Sequence, residues 1–119
     1  MNILITGANG FLAKEILVFF SDKKYNLFPT NRKTLNILDD DKVANFIEKN
    51  KIDIVLHTAV SGCGKKTDTY EDFCNNIMMF RNLHRNRHMF KMMINFGSGA
   101  EFDRRQDIKE KKEATIFDR

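Results

Sequence analysis

Residues 2–13 read NILITGANGFLA, a short apolar run that passes through a glycine-containing turn into an amphipathic segment. The run at residues 2–6 is β-branched and apolar, which is typical of a buried parallel strand when a helix follows it. Gly7 permits the tight turn, and Gly10 allows the backbone to approach a phosphate closely. The helix that begins there offers free N–H groups and the positive end of its dipole to a pyrophosphate. The stretch therefore predicts a dinucleotide-binding loop, with a purely structural turn as the alternative.

Outward from this loop, strand-like and helix-like segments alternate along the chain. Such alternation indicates a parallel sheet with helices on both faces and right-handed crossovers. We predict an α/β fold, a Rossmann-type doubly wound parallel sheet of about four strands in the order 3-2-1-4, with three helices. The strands are predicted at residues 2–6, 25–29, 53–57 and 92–96, and the helices at 10–22, from Asp39 onward, and at 69–88.

The composition is that of one ordinary soluble domain, with 119 residues, 42% hydrophobic and 30% charged. No apolar run approaches the roughly 20 residues that span a bilayer, so no membrane association is expected. Cys63 and Cys74 lack the spacing of metal ligands and form no disulfide-rich framework. They are interpreted as reduced thiols of a cytoplasmic protein, and no metal site is predicted.

The net charge is +4, and the densest basic stretch lies at residues 81–88. A solvated helix face is favoured over a nucleic-acid patch for this stretch, because acidic residues accompany the basic ones along most of the chain. No nucleic-acid partner is therefore predicted. Excess positive charge also suits a protein whose cofactor and substrate both carry several phosphates.

The chain divides by composition near residue 102. Residues 1–102 are interpreted as the N-terminal part of an NAD(P)-binding Rossmann domain. Eleven of the residues in 103–119 are charged, which predicts a charged tail or a truncated continuation of the domain. Four strands leave one sheet edge unpaired, so dimerisation or aggregation is the expected liability, and a homodimer is one hypothesis.

Several segments resemble the extended short-chain dehydrogenase/reductase family, the NAD-dependent epimerases/dehydratases. TGANGFLA at residues 6–13 is similar to the family's T-G-x-x-G-x-x-[GA] loop. TNRKTLNILD at residues 30–39 resembles the T-R-x-x-L-N-L-x-D stretch of the GDP-fucose synthase branch. Three shorter segments resemble the family's V-I-H-x-A-A, N-x-x-x-x-x-N-[LI] and G-S-S-x-x-[YF] patterns: VLHTAV at 55–60, NIMMFRNL at 76–83 and FGSGAEF at 96–102. The resemblance implies a Rossmann domain that is incomplete relative to the family.

The resemblance also implies a set of cofactor-binding residues. They are Gly7, Asn9, Gly10, Phe11 and Leu12 in the loop, and Asp39, His57, Thr58, Ala59, Val60 and Asn76 further along the chain. Asp39 would accept a hydrogen bond from the adenine amino group, a role compatible with its alternative as a helix N-cap. His57 would form a wall of the cofactor pocket, and a satisfied structural histidine is the favoured alternative to catalysis.

Arg32 bears on the choice between the two nicotinamide cofactors. In Rossmann domains a carboxylate after the second strand binds the ribose of NAD, whereas an arginine accepts the 2′-phosphate of NADP. Arg32 occupies that region and no acid stands at the strand tip. NADP is therefore the predicted cofactor, with NAD as the alternative. For Arg32 itself, the alternative is a solvent-exposed side chain that binds no ligand.

The resemblance places a catalytic serine at Ser98, whose hydroxyl would bond the substrate oxygen. The family's acid is a tyrosine with a lysine four residues later, which lowers the tyrosine pKa. This chain has only Tyr25 and Tyr70, and Pro29 and Cys74 stand at that spacing. The complete enzyme is expected to transfer hydride at a 4-keto nucleotide sugar, most simply a GDP-sugar. The chain itself is either a fragment or a shortened relative, and the alternative function is a non-catalytic dinucleotide-binding module.

Overall fold

The computed structural model describes residues 1–62 and 67–97, so the catalytic prediction for Ser98 and the 103–119 segment lie outside the described residues. Strands and helices alternate along the described part, as predicted. In chain order they are β1 (Asn2–Thr6), α1 (Phe11–Phe20), β2 (Asn26–Pro29), α2 (Asp40–Lys49), β3 (Ile54–His57), α3 (Tyr70–Arg85) and β4 (Met92–Asn95), with a 3-10 turn at Arg87–Met89.

The strands form one parallel sheet in the order β2-β1-β3-β4. The predicted Rossmann-type α/β class, with four parallel strands and three helices, is therefore confirmed. The predicted order 3-2-1-4 is wrong, because β3 pairs with β1 on the side opposite β2. Thr6 aligns with His57 in that pairing, so the ends of β1 and β3 lie side by side.

The burial of the strands explains the order. In β3, which reads IVLH, the last three residues are buried, whereas β2 reads NLFP and has no buried residue. A parallel strand that is apolar on both faces belongs at the centre of a sheet, while Pro29 lacks an N–H and suits an edge strand. Residues 30–39 form turns, and the chain then crosses through α2 to β3 on the other side of β1.

The sheet separates two apolar cores. On one face, α1 contributes Ala13, which is fully buried against Ile3, Ile5 and Leu56 of the central strands. On the other face, Leu4 and Val55 pack with side chains of α2 and α3, including the buried Ile47 and Leu83. Ala13 is thus a small residue that permits close packing of helix and strand.

The three helices begin differently. Asp39 caps α2 by accepting from the N–H of Lys42 at 3.2 Å, and Thr69 and Asp72 form a reciprocal capping box at the start of α3. Gly10 precedes α1, and no side chain caps that helix. The N–H groups of the first turn of a helix have no partner within the helix. Those of α1 are therefore available to a ligand.

Candidate functional site

The turn after β1 requires glycine at Gly7 for two separate reasons. Its φ of +69° lies in the left-handed region that residues with a Cβ rarely adopt. A Cβ at this position would also lie 2.7 Å from Cα and 2.9 Å from the nitrogen of Ala59. The turn after β1 and the loop after β3 are therefore in backbone contact at Gly7.

Gly10 is less constrained. Its φ of −77° and ψ of 162° are extended and open to any residue. Its N–H donates to the Gly7 carbonyl at 2.9 Å. A Cβ added at Gly10 would meet that same oxygen at 3.2 Å and no other described atom within 4 Å, apart from the adjoining residues. The start of α1 beside Gly10 is thus an open backbone surface, as a phosphate-binding turn requires.

The hydroxyl of Thr6 joins the ends of β1 and β3. Thr6 Oγ1 accepts from the N–H groups of Thr58 and Ala59, each at 3.2 Å. Its own proton is then donated to Nδ1 of His57 at 2.8 Å. Thr58 returns a bond from its Oγ1 to the Thr6 carbonyl at 2.6 Å. This buried network fixes the backbone of the loop after β3.

His57 has the properties of a neutral structural histidine. It is buried, and burial lowers its pKa from the ordinary 6.5 to about 4. Because Nδ1 accepts from Thr6, the proton of the neutral ring resides on Nε2. His57 also lies outside the lining of the adjacent cavity. A general-base role through Nδ1 is therefore incompatible with this arrangement, and its role as a cofactor wall stays a prediction.

A cavity of about 280 Å³ opens at the carboxyl ends of β1, β2 and β3. In open α/β sheets this edge, at the point where the strand order reverses, is where ligands bind. Here the reversal lies between β1 and β3, since the chain adds strands on opposite sides of β1. Seven of the predicted cofactor-binding residues line the cavity: Gly7, Asn9, Gly10, Arg32, Thr58, Ala59 and Val60.

The other predicted cofactor residues lie elsewhere. Phe11 and Leu12 belong to the first turn of α1 and are exposed, 82% and 39% respectively, without lining the cavity. Asp39 is the N-cap of α2, which confirms the structural alternative for that residue. Asn76 lies on α3 and does not line the cavity, but it bonds Ser61, which does.

Asn76 holds the loop after β3 by a paired contact. Its Oδ1 accepts from the N–H of Ser61 at 2.7 Å, and its Nδ2 donates to the Ser61 carbonyl at 3.0 Å. Ser61 lines the cavity, and its Oγ donates to Asp72 at 2.7 Å. Hydrogen bonds from Thr69 and Ser61 hold the pKa of Asp72 below its ordinary value. The carboxylate is thus a charged anchor for both the helix start and the loop.

Arg32 stands on a turn that Asn31 organises. The Asn31 side-chain oxygen accepts from the N–H groups of Lys33 at 2.9 Å and Thr34 at 3.2 Å. Arg32 is exposed at the cavity rim, and no carboxylate of residues 1–62 or 67–97 lies within ion-pair distance of it. Its guanidinium is free to pair with an anionic ligand.

The described ranges contain neither a cluster of metal-binding side chains nor a helix that could span a membrane. Residues 1–62 and 67–97 contain no group of three or more His, Cys, Asp or Glu side chains that could hold a metal ion. No helix in the same ranges is long and apolar enough to cross a membrane. Tyr25 and Tyr70 do not line the cavity, and Tyr70 is 80% exposed at the start of α3.

The pattern of the NAD dependent epimerase/dehydratase family matches residues 3–118, nearly the whole chain. The chain belongs to the NAD-dependent epimerase/dehydratase family. Membership accounts for the glycine turn, the cavity at the sheet edge and the close contact between the ends of β1 and β3, all of which serve dinucleotide binding in Rossmann domains.

Several named proteins resemble the chain in sequence or structure. Over 59 residues, 50% of this chain, it is 30% identical to GDP-L-colitose synthase of Yersinia pseudotuberculosis. The GDP-mannoheptose C4 reductase of Campylobacter jejuni, solved with NADP bound, has a TM-score of 0.86 and 26% identity over 98% of this chain. The dTDP-4-dehydrorhamnose reductase of Bacillus anthracis, solved with NADP, has a TM-score of 0.59 and 26% identity over 69% of this chain.

These relatives are much longer than this chain. It covers 19% of the colitose synthase, 38% of the mannoheptose reductase and 30% of the dehydrorhamnose reductase. The similarity therefore concerns only part of each relative.

Sequence reasoning missed about half of the cavity lining. The missed residues are Thr6, Thr30, Asn31, Leu35, Asn36, Ile37, Leu38, Ser61 and Met79. Most follow β2, in the stretch whose family resemblance pointed only to Arg32 and Asp39. The polar pair Thr30-Asn31 directly after an edge strand was the available signal, because such positions lie at the carboxyl edge of the sheet. No such signal marks Asn82, whose Nδ2 donates to the carbonyl of Ile37, a residue that lines the cavity, at 2.9 Å.

Proposed function

We propose that this chain is the NADP-binding part of a nucleotide-sugar reductase or epimerase whose complete form acts on a GDP-sugar. The observation that carries the proposal is the contact of Gly7 with the Ala59 backbone at the mouth of the cavity. Two strand ends meet there without intervening side chains, beside an uncapped helix start. A dinucleotide needs this arrangement because its pyrophosphate must reach backbone N–H groups.

The residues present fit NADP along the cavity. The first turn of α1, from Gly10 onward, would hold the pyrophosphate, and Arg32 at the rim would pair with the 2′-phosphate. Thr58, Ala59 and Val60 would line the path toward the nicotinamide. The network from Thr6 keeps this last wall in place by bonding the N–H groups of Thr58 and Ala59.

NADP supplies hydride chemistry when bound, and the contribution of this chain is to bind and orient it. Ser98 is proposed to bond the reacting oxygen of the sugar, as the family resemblance implies. A GDP-sugar substrate is supported by the names of two relatives, GDP-L-colitose synthase and GDP-mannoheptose C4 reductase. NADP is supported by its presence in two solved relatives.

A second candidate function is a dinucleotide-binding module without catalysis of its own. The observation that favours it is that neither Tyr25 nor Tyr70 is followed by lysine four residues later. Without a neighbouring lysine to stabilise its phenolate, a tyrosine is a weak acid–base catalyst at neutral pH. The two functions share the cofactor site and differ in turnover.

We also propose a cytoplasmic location and a homodimer. Cys74 is a free, exposed thiol, which suits a reducing compartment. Met92 and Ile94 on β4 are 52% and 42% exposed, so the β4 side of the sheet offers an apolar surface to a second copy. Light scattering on the purified chain measures the oligomeric state directly, and a monomer at micromolar concentration would contradict the dimer.

The cofactor site is tested by Gly10→Val with calorimetric titration of NADP. Valine accepts the extended φ and ψ of this position, so the variant should fold, while its bulk occupies the approach to the start of α1. We expect NADP affinity to fall at least about tenfold, the equivalent of about 1.4 kcal/mol. Urea unfolding of the same variant is the control for folding. Unchanged affinity in a folded variant would make the loop a turn without a ligand.

A further inference from the structure

The hydroxyl of Thr6 has all of its hydrogen-bonding capacity in use. A hydroxyl has one proton to donate and two lone pairs that accept. At Thr6 the lone pairs accept from the N–H groups of Thr58 and Ala59, and the proton is donated to Nδ1 of His57. Thr6 is buried, so bulk water does not replace a partner that it loses. The arrangement is therefore complete only while His57 accepts.

A second proton on the His57 ring is incompatible with this arrangement. The neutral ring accepts at Nδ1, whereas the protonated ring donates from both nitrogens. Nδ1 lies 2.8 Å from Thr6 Oγ1, so the hydroxyl would have to turn its own proton away and accept from the ring. That acceptance occupies a lone pair, and the N–H of Thr58 or Ala59 then loses its acceptor. A proton taken from water onto Nδ1 thus breaks at least one bond that holds the loop after β3.

The loop after β3 carries such a change directly to the cavity. Thr58 and Ala59 line the cavity, and a Cβ on Gly7 would lie 2.7 Å from Cα of Ala59. The two backbones are packed so closely there that a shift of the loop requires a shift of the turn after β1. His57 itself does not line the cavity, so it acts on a ligand only through Thr6.

The titratable side chains on the elements around His57 are engaged elsewhere or exposed. In the sheet its neighbours are Thr6 of β1 and Asn95 of β4, neither of which titrates. On α3, the carboxylate of Asp72 bonds the helix start and the loop after β3. The other titratable residues of the three helices are exposed, apart from Asp40, which forms an ion pair. Burial is accordingly what lowers the pKa of His57, to about 4, and it favours the accepting form of the ring.

We propose that Thr6 and His57 are positioning residues that form a proton-sensitive latch: a proton taken up by His57 releases the loop after β3 and weakens dinucleotide binding. The dinucleotide rests on the proposed function, whereas the latch rests on the hydrogen bonds of Thr6. Coupling between two binding events is reciprocal, so a dinucleotide that favours the latched loop must also lower the pKa of His57. Affinity is then full well above the pKa of the ring and declines as the pH falls through about 4.

The latch is tested first without a cofactor, by nuclear magnetic resonance of the 119-residue chain from neutral pH to about the pKa of His57. Only pH values at which circular dichroism shows the folded state are used. There the amide shifts of Thr58 and Ala59 should stay proportional to the shift of the His57 ring. Thr6→Ser keeps the hydroxyl and should keep this joint titration, whereas Thr6→Val should abolish it. Unmoved amide signals beside a titrating ring in the wild type would overturn the proposal.

The coupling to the cavity is tested by calorimetric titration of oxidised NADP into the wild type and into His57→Asn. An asparagine oxygen can accept from Thr6 and does not titrate, while the titration of the ligand affects both proteins alike. Between neutral pH and about pH 4, wild-type affinity should fall about twofold more than that of the variant, since half of the free rings are protonated at the pKa. The matched control is His88→Asn, an exposed histidine outside the cavity lining, which should follow the wild type.

Saturating NADP should also lower the pKa of the His57 ring in the resonance experiment. An unchanged ring pKa, or equal pH profiles for the wild type and His57→Asn, would overturn the coupling between the latch and the cavity. Failure of NADP to bind the wild type at neutral pH would contradict the proposed cofactor function. The joint titration of amides and ring needs no cofactor, so it supports or overturns the latch in either case.

Discussion

Gly7 shows how a single position can be fixed by backbone geometry and by a neighbouring segment together. The tight turn was predictable from the glycine between a strand and a helix. The contact with Ala59 was not, because nothing in the order of residues says that the loop after β3 approaches within van der Waals distance of this turn. The same limit applies to Thr6, whose hydroxyl partners come from residues about fifty positions away.

Gly7→Ala should destabilise the fold by more than about 1 kcal/mol, since alanine is strained at positive φ and here also meets backbone atoms. Gly97→Ala is the matched control, because a Cβ there has nothing within 4 Å among the described atoms. Urea unfolding of both variants measures the free energies. Equal stabilities would mean that the Ala59 loop moves away at little cost.

His57 should make the stability of the chain depend on pH. Its pKa in the folded state, about 4, lies below the ordinary 6.5, so the unfolded chain binds the proton more readily. The contribution is fully present above pH 6.5 and is lost as the pH falls toward 4. The whole effect is on the order of 3 kcal/mol.

The measurement is urea unfolding of the wild type and of His57→Asn between about pH 7.5, one unit above the ordinary pKa, and about pH 4, the pKa of His57 in the folded state. An asparagine oxygen can still accept from Thr6, while its amide does not titrate. Carboxylates affect both proteins alike, so the difference isolates His57. Parallel curves would mean that the ring is solvated enough to protonate normally.

At the scale of elements, the identity of each strand and helix followed from periodicity, whereas the order of strands did not. The alternation of segments predicts parallel pairing but leaves open on which side of β1 each strand is added. The deciding feature was the burial of β3 on both faces against the partial exposure of β2. That contrast is visible in the sequence as IVLH against NLFP, whereas the alternation on which the order 3-2-1-4 was based says nothing about it.

Asn76 links α3 to the loop after β3, and Asn76→Ala should loosen that link. The N–H and carbonyl of Ser61 would both lose their side-chain partner, which should cost about 1–2 kcal/mol in the free energy of unfolding. NADP affinity should fall as well, because Ser61 lines the cavity. Asn75→Ala on the same helix is the control. A loss of stability with intact NADP affinity would limit Asn76 to a structural role.

At the scale of the whole molecule, segments far apart in the sequence meet at one cavity at the sheet edge. The cavity, the loop after β3 and the Arg32 turn come together within residues 1–62 and 67–97. The catalytic prediction for Ser98 lies outside those ranges, and the domain division at residue 102 stays a prediction. Seven of the predicted cofactor-binding residues line the cavity, whereas the role of Ser98 stays a prediction.

The 119-residue chain is expected not to turn over a nucleotide sugar at a rate comparable to complete family members. Absence of a positioned general acid alone costs on the order of 10²–10⁴-fold. The measurement is cofactor absorbance with NADPH and a GDP-4-keto-deoxysugar, with Gly10→Val as the negative control. Rapid turnover that disappears in the control would show that a residue of this chain supplies the acid.

The uncapped start of α1 has a consequence for how long the chain persists in a cell. Side chains cap the starts of α2 and α3, whereas no side chain caps the first N–H groups of α1, which can therefore bind an anion. A ligand that binds only the folded form adds RT ln(1 + [L]/Kd) to its stability, about 2.7 kcal/mol at a hundredfold excess over Kd. Resistance to proteolysis should therefore rise and fall with the dinucleotide pool.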